Sequence, residues 1–186
     1  MARRLAERYG FTLYSEGTNH GEHKRIASAQ FQPAMSREFS SWNEYFSRPY
    51  REYAQWLTDA LKEDVEMALM DIISGSCDQE VIADIHMPLE IASRLIEHNQ
   101  IVFLVAGPEL VVSDYFSRAD HREILDCIAG LPDPSEARKN VEKALVYGTD
   151  RFLQELYQTD WYCIVRDGNS TVEGTFHLIE KHFGLA

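Results

Sequence analysis

The clearest periodic signal lies between residues 50 and 73, where Tyr50, Tyr53, Leu57, Leu61, Val65, Ala68 and Ile72 recur at steps of three and four. That spacing gathers them on one side of an α-helix. The stretch SWNE at 41–44 has the form of a capping box, Pro49 reads as a break or first-turn residue, and SGS at 74–76 marks the end. A short basic helix is expected over residues 2–8. Two extended stretches follow, FTLYS (11–15) and RIASAQFQ (25–32), with a loop at Gly17, Asn19 and Gly21 between them. EVIADIHM (80–87) satisfies neither period and reads as a strand or a helical continuation. Pro88 then opens a helix whose apolar side carries Leu89, Ala92, Leu95 and Ile96.

The second half alternates in the same way. QIVFLVAGPELVVSDYF (100–116) is rich in β-branched and aromatic residues around Gly-Pro-Glu, a pattern that predicts a hairpin. SRADHREILDCIAG predicts a helix stopped by Gly130. In DPSE (133–136) a capping Asp and a first-turn Pro open one bent helix or two abutting ones, with Ala137, Val141, Leu145, Phe152 and Leu156 on one face through Gly148 as far as about Gln158. A second hairpin is expected around Asp-Gly-Asn within residues 161–183. Together these elements predict one α+β domain over residues 1–186, an antiparallel sheet built from hairpins with several helices packed mainly on one face.

Composition bounds the class. With 45 % hydrophobic and 11 % aromatic residues, 186 residues supply a real core. Apolar runs such as IVFLVA (101–106) fall far short of the roughly 20 residues of a membrane span. The opening MARRLAERYGFTLYSEG lacks the apolar stretch of a secretion signal, so a cytoplasmic protein without a membrane segment is expected. Cys77, Cys127 and Cys163 form no C-x-x-C pair and read as reduced and mostly buried thiols.

Charge changes the picture more. Residues 1–51 hold eight Lys/Arg against five Asp/Glu, whereas residues 52–186 hold ten against twenty-five. Within 52–100 only Lys62 and Arg94 oppose eleven acids, so a continuous nucleic-acid surface there would repel phosphate. Direct nucleic-acid contact is expected only, if anywhere, through the basic N-terminal segment. On the long helix Glu52, Asp59, Glu63 and Glu66 line the polar side and are the candidate partner-binding acids. A basic protein surface is the partner such a face would attract. Oligomeric state is not legible.

Two acids disobey the pattern. Asp64 and Asp71 fall inside the apolar arc, seven residues and about 10.5 Å apart along the axis. Buried acids must be paired or neutralised, so each calls for a Tyr, His or Arg from a neighbouring element. The sharper alternative places them in a cleft as catalytic groups, beside His86 or His121. Their separation is too large for both to ligate one metal at oxygen distances of about 2.0 to 2.6 Å. HGEH (20–23) is the nearest approach to a histidine ligand pair, but it lies in the expected loop and lacks a third ligand. No metal and no cofactor are expected.

Asp84, Met87 and Pro88 form Asp-x-x-Met-Pro, which resembles the surroundings of the phosphate-accepting aspartate in response-regulator receiver domains. The rest of that site is missing. The segment some forty residues earlier enters a helix instead of following a strand with paired acids, and no Lys-Pro follows Ser113. The resemblance is rejected. G-x-S-x-G, Walker and G-x-G-x-x-G motifs are also absent. The leading expectation is a non-enzymatic inhibitor, immunity or anti-defence factor covering a basic, nucleic-acid-handling partner. The alternative is a small hydrolase using Asp64 or Asp71 in a helix–sheet cleft.

Overall fold

The computed structural model describes residues 1–75, 79–167 and 170–185, with the Asp120 side chain excluded. Cys77, the Ser76 end of the SGS stop and the Gly168-Asn169 turn therefore lie outside the described residues. The chain divides into two compact units. One comprises Met1–Arg37 and Leu57–Ala92; the other comprises Glu38–Trp56 and the chain from Ser93 onward.

In the first unit α1 (Ala2–Tyr9) buries Ala2, Leu5 and Ala6 and packs on both strands of a small sheet. Its end is set by Gly10, whose φ of 75° is the left-handed conformation that side-chain-bearing residues resist. The strands are β1 (Thr12–Ser15) and β2 (Val81–Asp84), paired parallel from Thr12 with Val81 to Ser15 with Asp84. Between them come α2 (His20–Ile26) and the part of α4 (Tyr50–Gly75) from residue 57 on. Val65, Ala68, Met87 and Ile91 are among its buried residues.

The second unit repeats the plan. It holds α3 (Trp42–Phe46), residues 50–56 of α4, β3 (Phe103–Ala106), α6 (Pro108–Ser117), α7 (Arg122–Ala129), α8 (Pro134–Leu156), β4 (Cys163–Arg166) and α9 (Val172–His182). α5 (Leu89–Leu95) begins in the first unit and ends in this one. β3 and β4 run parallel, Phe103 beside Cys163 through Ala106 beside Arg166. Phe46, Val141, Leu156, Phe176 and Ile179 are nearly fully enclosed.

The antiparallel hairpin sheet expected from the sequence does not form. The chain is mostly helical, 61 % helix and 9 % strand, and its strands pair parallel in two small sheets. Gly107 and Pro108, expected as a hairpin turn, are the N-cap and first residue of α6, a placement that costs nothing because the missing Pro N–H would be unpaired there anyway. The β-branched run that follows stays helical because α6 packs along α8. The stretch after β4, expected as a return strand, is α9, capped by Thr171 Oγ1, which accepts from Gly174 N. RIASAQFQ is not extended: Ile26 ends α2, and Phe31, Gln32 and Ser36 N–H groups donate to carbonyls three or four residues back.

Among the described residues no helix is long and apolar enough to cross a membrane.

Candidate functional site

The two misplaced acids of α4 define the most densely bonded polar cluster of the first unit. β1 delivers Tyr14 to it, and the chain then reverses through a turn. Gly17 adopts a φ of 78° there, and Thr18 Oγ1 donates to Ser15 O and accepts from Ser15 N. That reversal starts α2 at His20, not the loop expected for HGEH, and three-residue spacing puts His20 and His23 on one helical face. Asp64 and Asp71, seven apart, share the facing stripe of α4.

His23 bridges them. Its Nδ1 lies 2.6 Å from Asp64 Oδ1 and its Nε2 lies 2.8 Å from Asp71 Oδ2. The residue is 4 % exposed. His20 Nδ1 sits 3.0 Å from the other Asp64 oxygen, while Asn19 Nδ2 (2.7 Å) and Tyr14 OH (3.0 Å) donate to Asp71 Oδ2. Burial disfavours charge on His23, but the hydrogen bonds and negative charges of Asp64 and Asp71 outweigh it and raise its pKa. The Asn19 hydrogen bond, opposed by burial and reinforced by His23 and Tyr14, holds Asp71 below the usual carboxylate value. Burial, the bond to Asp71 and the nearby carboxylates push the Tyr14 phenol up to about 12.

A shallow concavity borders this cluster, lined by Tyr14, Glu16, His20, Leu61, Asp64 and Ile85. An imidazole with both nitrogens facing carboxylates has no lone pair to offer a substrate. Among the described residues no group of three or more His, Cys, Asp or Glu side chains is arranged to hold a metal ion.

Comparison with known proteins adds nothing to this geometry. No family model, no curated protein and no solved structure matches the chain.

The remaining candidates are scattered. His86 lies in the segment between β2 and α5, part of its surface open to solvent, yet its surroundings desolvate the ring and lower its pKa against the nearby charge of Glu16. His121 belongs to the other unit, where its Nδ1 donates to Tyr115 O at 2.9 Å and its ring leans on that of Tyr115. Of the acids on the polar side of α4, Asp59 and Glu66 are exposed in the first unit, and Glu52 is exposed in the second. Glu63 is half-buried and accepts from the amides of Ala34 (3.0 Å) and Met35 (2.7 Å). Lys62, between them, is tied to Glu90 at 2.7 Å.

Sequence reasoning found Asp64 and Asp71 but not the residues that meet them. The signal for His20 and His23 was their i, i+3 spacing, which becomes a shared face only if residues 20–26 are helical. Nothing in HGEHKRI gives an apolar period to reveal that helix.

Proposed function

We propose that the protein is a non-enzymatic acidic interaction module, an inhibitor, immunity or anti-defence factor that docks on the basic surface of a nucleic-acid-handling protein. Within the first unit the docking acids are Asp59 and Glu66, which stand exposed seven residues apart on one stripe of α4, about 10.5 Å along its axis. Glu63 is not among them, because its carboxylate holds the backbone at Ala34 and Met35. Glu52 lies in the other unit and is left out of this surface.

The observation that carries this reading over a hydrolase built on Asp64 or Asp71 is the double engagement of His23. A general base needs a lone pair facing substrate; both nitrogens of His23 are taken by carboxylates, the two Asp64 oxygens face His20 and His23, and Asp71 Oδ2 already meets His23, Asn19 and Tyr14. The same helix carries exposed negative charge at Asp59 and Glu66.

Such docking acts through encounter rate and long-range attraction, so it weakens as salt shortens the screening length from about 10 Å at 0.1 M. The test is capture of proteins from the host's extract by wild type and by an Asp59→Lys/Glu66→Lys double variant, at low and moderate ionic strength. A captured nucleic-acid-handling protein is then assayed for inhibition. The expected result is a basic protein held by wild type, released by salt and bound at least about tenfold more weakly by the double variant. Capture indifferent to both charge reversal and salt overturns the reading.

A further inference from the structure

The cluster around His23 joins three elements through one ring. Asp64 and Asp71 come from α4, His20 and His23 from α2, and Tyr14 from β1, with Asn19 in the turn between β1 and α2. We infer that His23 is a proton-operated clasp: in its charged form it fastens α2 onto α4, and on losing a ring proton it lets α2 detach and opens Asp64 and Asp71 to solvent.

A neutral imidazole has one N–H and one lone pair, whereas an imidazolium has two N–H groups. Both nitrogens of His23 face carboxylate oxygens, at 2.6 and 2.8 Å, and a carboxylate only accepts. The neutral ring would set a lone pair against a carboxylate at one of these contacts. Moving the proton to Asp64 or Asp71 is no remedy near neutrality, because a carboxylate binds a proton more weakly than imidazole by about two pH units. The charged ring is therefore the form that fits.

The two carboxylates bonded to the ring act in the same direction. On α4, Asp64 and Asp71 favour the cation. From β1, Tyr14 donates to Asp71 and stays neutral until about pH 12. Glu16, after β1, lines the same concavity and acts on His86, whose own pKa burial lowers, while Ile85 after β2 adds only apolar surface. On α2 itself, His20 shares Asp64, and Glu22 is engaged by Arg25. His23 ends up with its pKa raised. Stability contributed by such a group is complete below the unfolded histidine value of about 6.5 and is lost as pH rises through the higher folded value. The clasp thus opens as pH rises above about 6.5, through the raised folded value.

At its start α2 is also tied to α4 by His20 on Asp64 and by its N-cap Asn19 on Asp71. It is seven residues long, shorter than an isolated helix needs for stability, and His23 is its buried residue. Release there is a local event that leaves other helices intact.

The test follows two signals in the full-length chain from about pH 6 to pH 9. The first is the protonation of both His23 ring nitrogens, read by nitrogen NMR. The second is amide exchange across residues 20–27, corrected for the intrinsic pH dependence of exchange and referred to α8. The expected result is two ring N–H groups at the acid end, followed by a loss of α2 protection of at least about tenfold as the ring titrates, with α8 unchanged. In His23→Gln, α2 protection is expected to be low throughout and independent of pH. A ring carrying a single proton at the acid end, or α2 protection that stays constant while the ring titrates, overturns the proposal. Those two wild-type readings decide it even where the variant fails to fold.

Discussion

The guanidinium carbon of Arg48 lies 4.3 Å from the centroid of the Phe39 ring, and three more rings close around it: Trp56 at 4.6 Å, Tyr53 at 4.8 Å and Tyr45 at 5.1 Å. The residue is 6 % exposed, and its Nε donates to Tyr45 O at 3.1 Å. Burial raises the pKa of both Tyr45 and Tyr53, so the phenols around the cation stay neutral and offer π faces, not charge. Arg48→Ala removes the cation and leaves a hole among four rings, at a cost of about 3 kcal/mol or more. Arg48→Met refills most of the volume without a charge to desolvate, so its cost is expected to be clearly smaller. Arg48→Lys keeps the charge but loses the planar group that stacks, and falls between. Urea unfolding followed by tryptophan fluorescence checks the order. Three variants within about 0.5 kcal/mol of wild type would show that the cage contributes nothing.

Glu63 belongs to the fold. Its two carboxylate oxygens accept from successive amides, Ala34 and Met35, whose residues are themselves buried. Glu63→Ala strands two N–H groups, which costs about 2 to 4 kcal/mol if water does not replace the carboxylate. Glu63→Gln retains one accepting oxygen and is expected to lose roughly half of that. Asp59→Lys and Glu66→Lys, at exposed positions, are expected to shift stability by no more than about 0.5 kcal/mol. Amide exchange at Ala34 and Met35, with unfolding midpoints of all four variants, separates the structural acid from the exposed pair.

What the sequence made legible was decided at short range. The Ser41 cap accepts from Glu44 N and the Asp133 cap accepts from Glu136 N, both readable as motifs of four residues. The Glu44 side chain departs from the expected reciprocal box by reaching back to Ser40, one residue earlier. The long helix was legible because its apolar residues repeat over many turns. What failed depended on partners far along the chain. Val111, Val112 and Tyr115 suit a strand by local preference, but that preference amounts to only tenths of a kcal/mol per residue and yields to packing of α6 on α8. In α9, Phe176 and Ile179 carry a helical step that the preceding Asp-Gly-Asn masked by suggesting a tight turn. Parallel pairing is invisible locally, since each strand meets a partner many helices later. The site split along the same line: Asp64 and Asp71 stood out as acids among apolar neighbours, whereas His23 became their partner only through a turn and a short helix with no apolar rhythm.

Asp71 is expected to contribute to the acid side of stability in the first unit. Its pKa is lowered, first by the Asn19 hydrogen bond, against burial, and then by His23 and Tyr14. A carboxylate held below its unfolded value of about 4 contributes stability that is present above that value and lost as pH falls through the lower folded one. Wild-type unfolding midpoints are therefore expected to drop on acidification below about pH 4. In Asp71→Asn the titrating group is gone, so the midpoint is lower at neutral pH and this part of the acid decline disappears. An acid decline identical in both proteins would assign it to other carboxylates.

Asn140 of α8 offers a sharper electrostatic test, because its Nδ2 donates to two carbonyls at the end of α3, Phe46 O at 2.8 Å and Arg48 O at 2.6 Å. These oxygens lie where a helix has run out of its own donors, so one side-chain amide satisfies what the backbone leaves open. With two acceptors as partners, the amide orientation is fixed: the NH2 group, not the oxygen, must face them. Asn140→Ala removes both bonds, at about 2 kcal/mol. Asn140→Asp is nearly the same size but replaces donors by a charge that both carbonyls repel, so its cost at neutral pH is expected to exceed that of the alanine variant. The introduced carboxyl has its folded pKa raised, since its neutral form alone can donate a bond. Stability penalised by such a group recovers as pH falls through that raised value. Unfolding midpoints of Asn140→Asp should therefore rise on mild acidification toward those of Asn140→Ala or above, while the alanine variant runs parallel to wild type. An aspartate variant that tracks the alanine variant at every pH would mean that water, not Asn140, serves the two carbonyls.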